Sequence, residues 1–201
     1  MALEKNNNAV YLSIGDGKIT KRVKQPTDIS QSRTLKNGNV IHEEIYDGVS
    51  GIITGIKTHD HPSFGKFWNV TIQDGEEIYT LQMNYSGGYA SAFLKTLPNV
   101  DLSKRVRFSP SMRIEGDKKK VTLFLNQDGK ALKHFYTKDN PNGLPQMVQI
   151  KVKGKMQWDD SSMMDFLEKM VMTDIVPKLS KTSVAEPVMA GGEEPDDEMP
   201  F

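Results

Sequence analysis

The chain has no cysteine. That excludes disulfides, thiolate-held zinc and cysteine nucleophiles, and it fits a reducing compartment. No apolar run approaches the ~18 residues of a membrane helix. The start, MALEKNNNAV, lacks the apolar stretch of a secretory signal. The expected location is the cytoplasm, with no membrane partner. Catalytic patterns are missing too. Gly65-Lys66 lacks the upstream glycine and following Ser/Thr of a phosphate-binding loop, and no serine sits in a G-x-S-x-G elbow. His59-Asp60-His61 carries metal-capable side chains, but no cysteine or helical spacing supports a site. The adjacent acids Asp159-Asp160 suit a helix start. No constellation reads as catalytic, so neither an enzyme nor a cofactor or metal is expected.

Net charge is also absent: 26 Lys and Arg balance 26 Asp and Glu. The balance hides a split. Glu186, Glu193, Glu194, Asp196, Asp197 and Glu198 lie in a stretch beyond Thr182 that has no Lys or Arg. The remaining twenty acids face all 26 bases, a net of +6 on the body. A basic body with an acidic tail is a pattern of nucleic-acid contact tempered by an interaction segment.

What is present is mostly strand signal. VYLSI alternates, Asp16-Gly17 follows, and ITKRV answers in phase, which predicts a hairpin. Residues 24–39 are polar and read as a linker. From Ile41 the chain is denser. YDGVSGIITGIK mixes β-branched residues with Gly48, Gly51 and Gly55, and glycines inside a strand mark bends or close backbone approach. HDHPSFGK reads as a loop, FWNVTI as a strand, Asp74-Gly75 as a turn and IYTLQMNY as its partner. Tyr89, Phe93 and Leu97 then recur at helical spacing up to Pro98. RVRFS, MRI, KKKVTLFLN, ALKHFYT and MVQIKV read as further strands. WDDSSMMDFLEKMVMTDIV predicts an amphipathic helix with Ser162 as N-cap, Asp165 three residues on, a Met-rich apolar stripe and a stop at Pro177. The stripe reads as core packing.

The order strand, strand, strand, helix, strand, strand predicts a mainly β fold. Its body resembles an OB-fold, a five-stranded Greek-key barrel with a helix between strands 3 and 4. The expected organisation is an N-terminal hairpin and polar linker over 1–40, the OB-fold domain with an extra strand over 41–158, a C-terminal helix over 159–179 and a disordered acidic tail over 180–201. OB-folds bind oligonucleotides or oligosaccharides through one sheet face and the loops after strands 1 and 4. Those loops carry Phe64 and Lys66 in the first and Lys118, Lys119 and Lys120 in the second. In KKKVTLFLN, Val121, Leu123 and Leu125 share a face, which turns Phe124 outward among polar neighbours. An outward ring is a stacking platform for a base, at ~1–3 kcal/mol per base; burial under the hairpin or the last helix is the competing reading. Phe67 is in phase with Asn69 and Thr71 and faces out. Trp68 is in phase with Val70 and Ile72, which suits the core, yet it sits at the strand start where a side chain can reach the rim. Both stand as stacking candidates. Arg105 and Arg107 share an outer face and suit phosphate or base.

The end of the chain, EEPDDEMPF, resembles the C-terminal tip of bacterial single-stranded-DNA-binding proteins, which ends Asp-Asp-Asp-Ile-Pro-Phe. Asp196, Asp197 and Glu198 match the acids, Met199 the aliphatic position, and Pro200 and Phe201 are identical. The resemblance implies that the barrel coats single-stranded DNA while the tip docks replication, recombination and repair proteins such as a polymerase, primase or helicase. The N-terminal extension, the short linker before the tip and the extra strand and helix depart from the bacterial pattern. They point to a phage-type monomer or dimer rather than a tetramer, acting in the host cytoplasm. Two further readings stay open on the sequence: an OB-fold adaptor or accessory subunit of a replication complex, and an RNA-binding OB protein.

Overall fold

The computed structural model describes residues 9–35 and 37–179. The acidic tail and its tip, Asp196, Asp197, Glu198, Met199, Pro200 and Phe201, lie outside them. The first strands are β1 (Val10–Gly15), β2 (Lys18–Val23), β3 (Ser30–Thr34) and β4 (Val40–Tyr46). The denser block holds β5 (Val49–His61), β6 (Gly65–Asp74), β7 (Glu77–Asn84), helix α1 (Gly88–Thr96), β8 (Val106–Glu115), β9 (Lys118–Gln127) and the short β10 (Lys130–Ala131). After a long connection come β11 (Val148–Val152), β12 (Lys155–Asp159), α2 (Ser161–Met170), a π turn (Val171–Ile175) and α3 (Val176–Leu179). The fold is mainly β. Ten strands make one sheet in the order β10-β9-β8-β5-β6-β7-β1-β2-β4-β3, while β11 and β12 form a separate ribbon. Among the described residues no helix is long and apolar enough to cross a membrane.

The long strand β5 organises the block. Its start, Val49 to Gly51, pairs with β8, and the rest pairs with β6. Gly51 sits at the changeover. A Cβ there would lie 2.5 Å from the Gln73 carbonyl oxygen and 2.6 Å from Ile72 Cγ2, so only glycine lets the strands approach this closely. A register shift between Ile53 and Gly55 adds a further irregularity.

The expected five-stranded barrel is not seen as a closed unit: its strands belong to a larger sheet. The sheet is open, and β7 takes β1 as its parallel neighbour, Val10 opposite Tyr79 and Leu12 opposite Leu81. The N-terminal hairpin is therefore part of the sheet rather than an appendage. It supplies backbone partners to β7, and it buries Leu12 and Ile19 in the core. Its tip, Asp16-Gly17, has both residues at positive φ, the geometry of a two-residue hairpin turn. Gly17 N–H donates to Tyr89 Oη at 2.7 Å, and a Cβ on Gly17 would meet Met112 N at 2.8 Å. The tip is thus seated against β8 and α1.

The polar stretch 24–39, expected as a linker, contains β3. Charge and hydrogen bonds hold this strand where apolar residues are few. Arg33 forks onto Glu43 at 3.1 and 3.0 Å, Ser32 meets His42 at 2.8 Å, and Thr27 donates to Glu44 at 3.0 Å.

One core joins Trp68, Val70 and Ile72 of β6, Leu81 and Met83 of β7, Phe93 and Leu94 of α1, Phe108 of β8 and Leu123 and Leu125 of β9. The helical end closes it with Met163, Met164, Leu167, Met170, Val171 and Ile175. The methionine stripe packs the core. The start of α2 differs from expectation. Its N-cap is Asp160 rather than Ser162, and Asp159 Oδ1 accepts from Ser161 N at 3.0 Å and Oγ at 2.5 Å. Pro177 does not stop the helical path. The π turn Val171–Ile175 precedes it, and the helical path continues through Val176–Leu179. Of ALKHFYT only Ala131 is in a strand, the short β10 (Lys130–Ala131). Beyond it Phe135 N–H bonds the Lys95 carbonyl at 2.7 Å, and Tyr136 enters the core.

Candidate nucleic-acid interface

Strands β8 and β9 pair from Arg107 opposite Asn126 to Glu115 opposite Lys118. Alternation sends Phe108, Leu123 and Leu125 inward, and the complementary row outward: Arg107, Ser109 and Ser111 on β8, with Thr122, Phe124 and Asn126 on β9. Phe124 is 46% exposed, directly across from Ser109. The Ser109 hydroxyl accepts from Arg107 Nε at 3.2 Å and from Asn126 Nδ2 at 3.3 Å. An open ring is therefore flanked by a guanidinium and an amide, both steadied by one hydroxyl.

The other cations are arranged unevenly. Arg105 lies just before β8 and bonds Asp74 Oδ1 at 2.6 Å. Lys119 reaches Asp16 on the hairpin tip at 2.7 Å. Lys120 is held by Glu115, which also takes Arg113 at 2.7 Å. Lys118 has no ion partner among the described residues. The lysine triplet is thus one open cation and two already paired. Those pairs are exposed and screened by water, so they contribute little and can exchange a carboxylate for a phosphate.

The first loop is different. Phe64 is half-buried, its ring 4.6 Å from that of His61. Lys66 Nζ is 2.7 Å from both carboxylate oxygens of Glu168 and 4.5 Å from the centre of the Tyr85 ring. Trp68 is 0% exposed and stacks on Tyr85 with planes 7° apart. It belongs to the core, and the rim position expected for it is not adopted, because α2 covers this end of the sheet. Phe67, expected to face out, is 2% exposed and lies outside the main core cluster. Alternation puts it opposite to Trp68 but does not leave it open. Of the aromatic candidates, Phe124 alone presents an exposed face. The structure brings Arg107 to it and leaves Phe64, Lys66, Phe67 and Trp68 at the other end of the β5–β6 hairpin.

Glu168 is the polar hinge of that end. Partial burial pushes its carboxyl up, but bonds from Lys66, Tyr85 (2.5 Å) and Thr58 (3.4 Å) outweigh burial and hold it below the ordinary carboxylate range. Burial first, and then the Glu168 bond, push the Tyr85 phenol well up. A depressed carboxyl adds stability at neutral pH, and that stability is lost as pH falls through the carboxylate range. Thermal melts from pH 7 to pH 3 should show this loss in the wild type and a flatter profile in Glu168→Gln. Equal pH profiles would refute the role given to Glu168.

Sequence reasoning passed over Trp158, which is 63% exposed on β12. The signal was available: VQIKV and KMQWD alternate on either side of Lys153-Gly154. Reading the Trp as the preface to a helix hid the second strand. Among the described residues no group of His, Asp and Glu is placed to hold a metal. Compared with known proteins, the chain matches no family model, no curated protein and no solved structure.

Proposed function

We propose that the chain binds single-stranded DNA, largely without sequence preference, on the outer face of β8 and β9, and that its tip recruits partner enzymes of replication, recombination or repair. The observation that carries the reading is Phe124, an exposed ring in a row that is otherwise polar and basic. A base stacked there gains ~1–3 kcal/mol. Arg107 reaches a phosphate or a second base, and Lys118 a neighbouring phosphate. Arg105, Lys119 and Lys120 join by leaving their exposed carboxylates. The block from β5 to β9 supports an OB-type reading. Its elements follow the order three strands, helix, two strands, and β5 is shared between β6 and β8. The contact is stoichiometric and involves no chemistry. The acids before Phe201 steer the tip to a basic rim on the partner while the ring supplies an apolar anchor. Such a protein works in the cytoplasm, the host's if the chain is phage-encoded.

The test uses anisotropy of labelled oligo-dT, duplex DNA and RNA of equal length, at low and moderate salt. Oligo-dT should bind tightest, with affinity falling as salt rises. No binding to any strand would sink the reading and leave the adaptor in its place. In the same assay, a chain lacking Met199, Pro200 and Phe201 should keep or gain strand affinity and lose capture of its partner enzyme. Loss of strand binding in that chain would contradict the division of labour.

A further inference from the structure

The ribbon of β11 and β12 belongs to neither the ten-stranded sheet nor its core. It pairs only with itself, from Val148 opposite Asp159 to Val152 opposite Lys155. Its turn, Lys153-Gly154, has both residues at positive φ, so the register is set locally. An isolated two-stranded ribbon is marginally stable in water. This one also leaves its large apolar side chains, Val148, Ile150, Met156 and Trp158, open to solvent. Such a ribbon gains its stability from something that covers it.

Charge and shape select the cover. Between Met147 and Trp158 there are three lysines, Lys151, Lys153 and Lys155, and no acid. None of the three has an ion pair among the described residues. The nearest acid, Asp159, is occupied by Ser161. On one face Trp158 stands opposite Gln149, and Met156 opposite Lys151. Lys151 is therefore diagonal to an open indole on one face, while Lys155 starts β12 beside the turn on the other face, with Lys153 at the turn between them. An anionic chain satisfies the lysines, and one with unpaired bases also covers the indole.

We propose that this ribbon is a second single-strand contact, with Trp158 stacking a base and Lys151, Lys153 and Lys155 taking adjacent phosphates. The inference rests on the single-strand reading above and extends it to a surface that the β8–β9 row does not include. A bound strand then touches the protein at two places, and the ribbon becomes ordered by what it binds.

The test uses the full chain and labelled oligo-dT, read by anisotropy and by intrinsic emission. The chain has two tryptophans, one buried and one open, so emission separates them. Oligo-dT should quench the wild type, and Trp158→Phe, which keeps Trp68, should lose the quench. Trp158→Ala should weaken binding by roughly 5- to 100-fold, the scale of one stacked base. Replacing all three lysines by serine should lower the salt slope by about 2. If the wild type binds while Trp158→Ala and the triple-serine variant bind equally well and emission is unchanged, the ribbon is not a strand site and the β8–β9 reading stands. If no strand binds the wild type, the single-strand reading fails and takes the ribbon with it. If Trp158→Ala changes the sedimenting mass and not the affinity, the ribbon is a contact between copies and the proposal is overturned.

Discussion

Phe124→Ala should lower oligo-dT affinity roughly 5- to 100-fold while leaving the melting temperature near its wild-type value. The two halves of this expectation have separate causes. The ring is on the outer row, so its loss opens no cavity in the core. The inward residues of the same strand, Leu123 and Leu125, remain fully packed. What disappears is the platform beside the Arg107–Asn126 pair. Phe124→Tyr should retain most of the affinity, because it keeps an aromatic face, whereas Phe124→Leu should behave like alanine. Retention of full affinity in both alanine and leucine variants, against a wild type that binds, would move the strand off this face. Anisotropy titrations beside thermal melts decide it.

Leu167→Ala should produce the largest stability loss, about 2–5 kcal/mol. Leu167 is fully buried at the centre of α2, in the cluster that joins that helix to the sheet. Removing its isobutyl group leaves a void that Met163, Met164 and Met170 can fill only in part. For a chain of this size the melting temperature should fall by roughly 5–20 °C. The Trp68–Tyr85 stack lies beside Glu168, the neighbour of Leu167 on the same helix. Near-ultraviolet dichroism should therefore change together with the melt. Oligo-dT affinity well below the melt should hold, since β8 and β9 are tied to the core by their own inward row. A melt within a degree of the wild type would mean that α2 is not a structural part of the core.

The polar anchor and the apolar anchor of α2 act at one place. Leu167 supplies area, and Glu168 gathers Lys66, Tyr85 and Thr58. This is why Lys66 is not available as a free phosphate contact. Its ammonium is spent on docking a helix that no local sequence signal places beside it. Trp68 shares that history, since the helix covers the rim it was expected to reach.

Alternation along a strand is a local property, and it was legible. A period of two separates Leu123 and Leu125 from Phe124, and Val70 and Ile72 from Asn69 and Thr71, whatever the strand pairs with. Turn chemistry was equally readable, because Asp16-Gly17 takes positive φ at little cost. The helical period of Phe93, and of Met163, Met164 and Leu167, announced which faces pack. The acidic segment and its resemblance to the tip of bacterial single-stranded-DNA-binding proteins are properties of sequence alone.

Coverage, in contrast, is decided by distant chain. The period of two says that Phe67 faces away from Trp68, yet not that its face is open, and it is 2% exposed. β3 has almost no apolar signal and exists as a strand because Glu43, His42 and the β4 backbone receive it. β7 could have paired with β9 to close a barrel. β1 takes that edge instead, and this choice leaves the sheet open. The alternation of KMQWD across Lys153-Gly154 was legible, and the strong helix signal that follows it masked β12. Periodicity and turn residues thus determined most of the elements and their faces. Only the tertiary structure decided which faces are covered and which cations are spent, because burial and ion pairing depend on residues far apart in the chain.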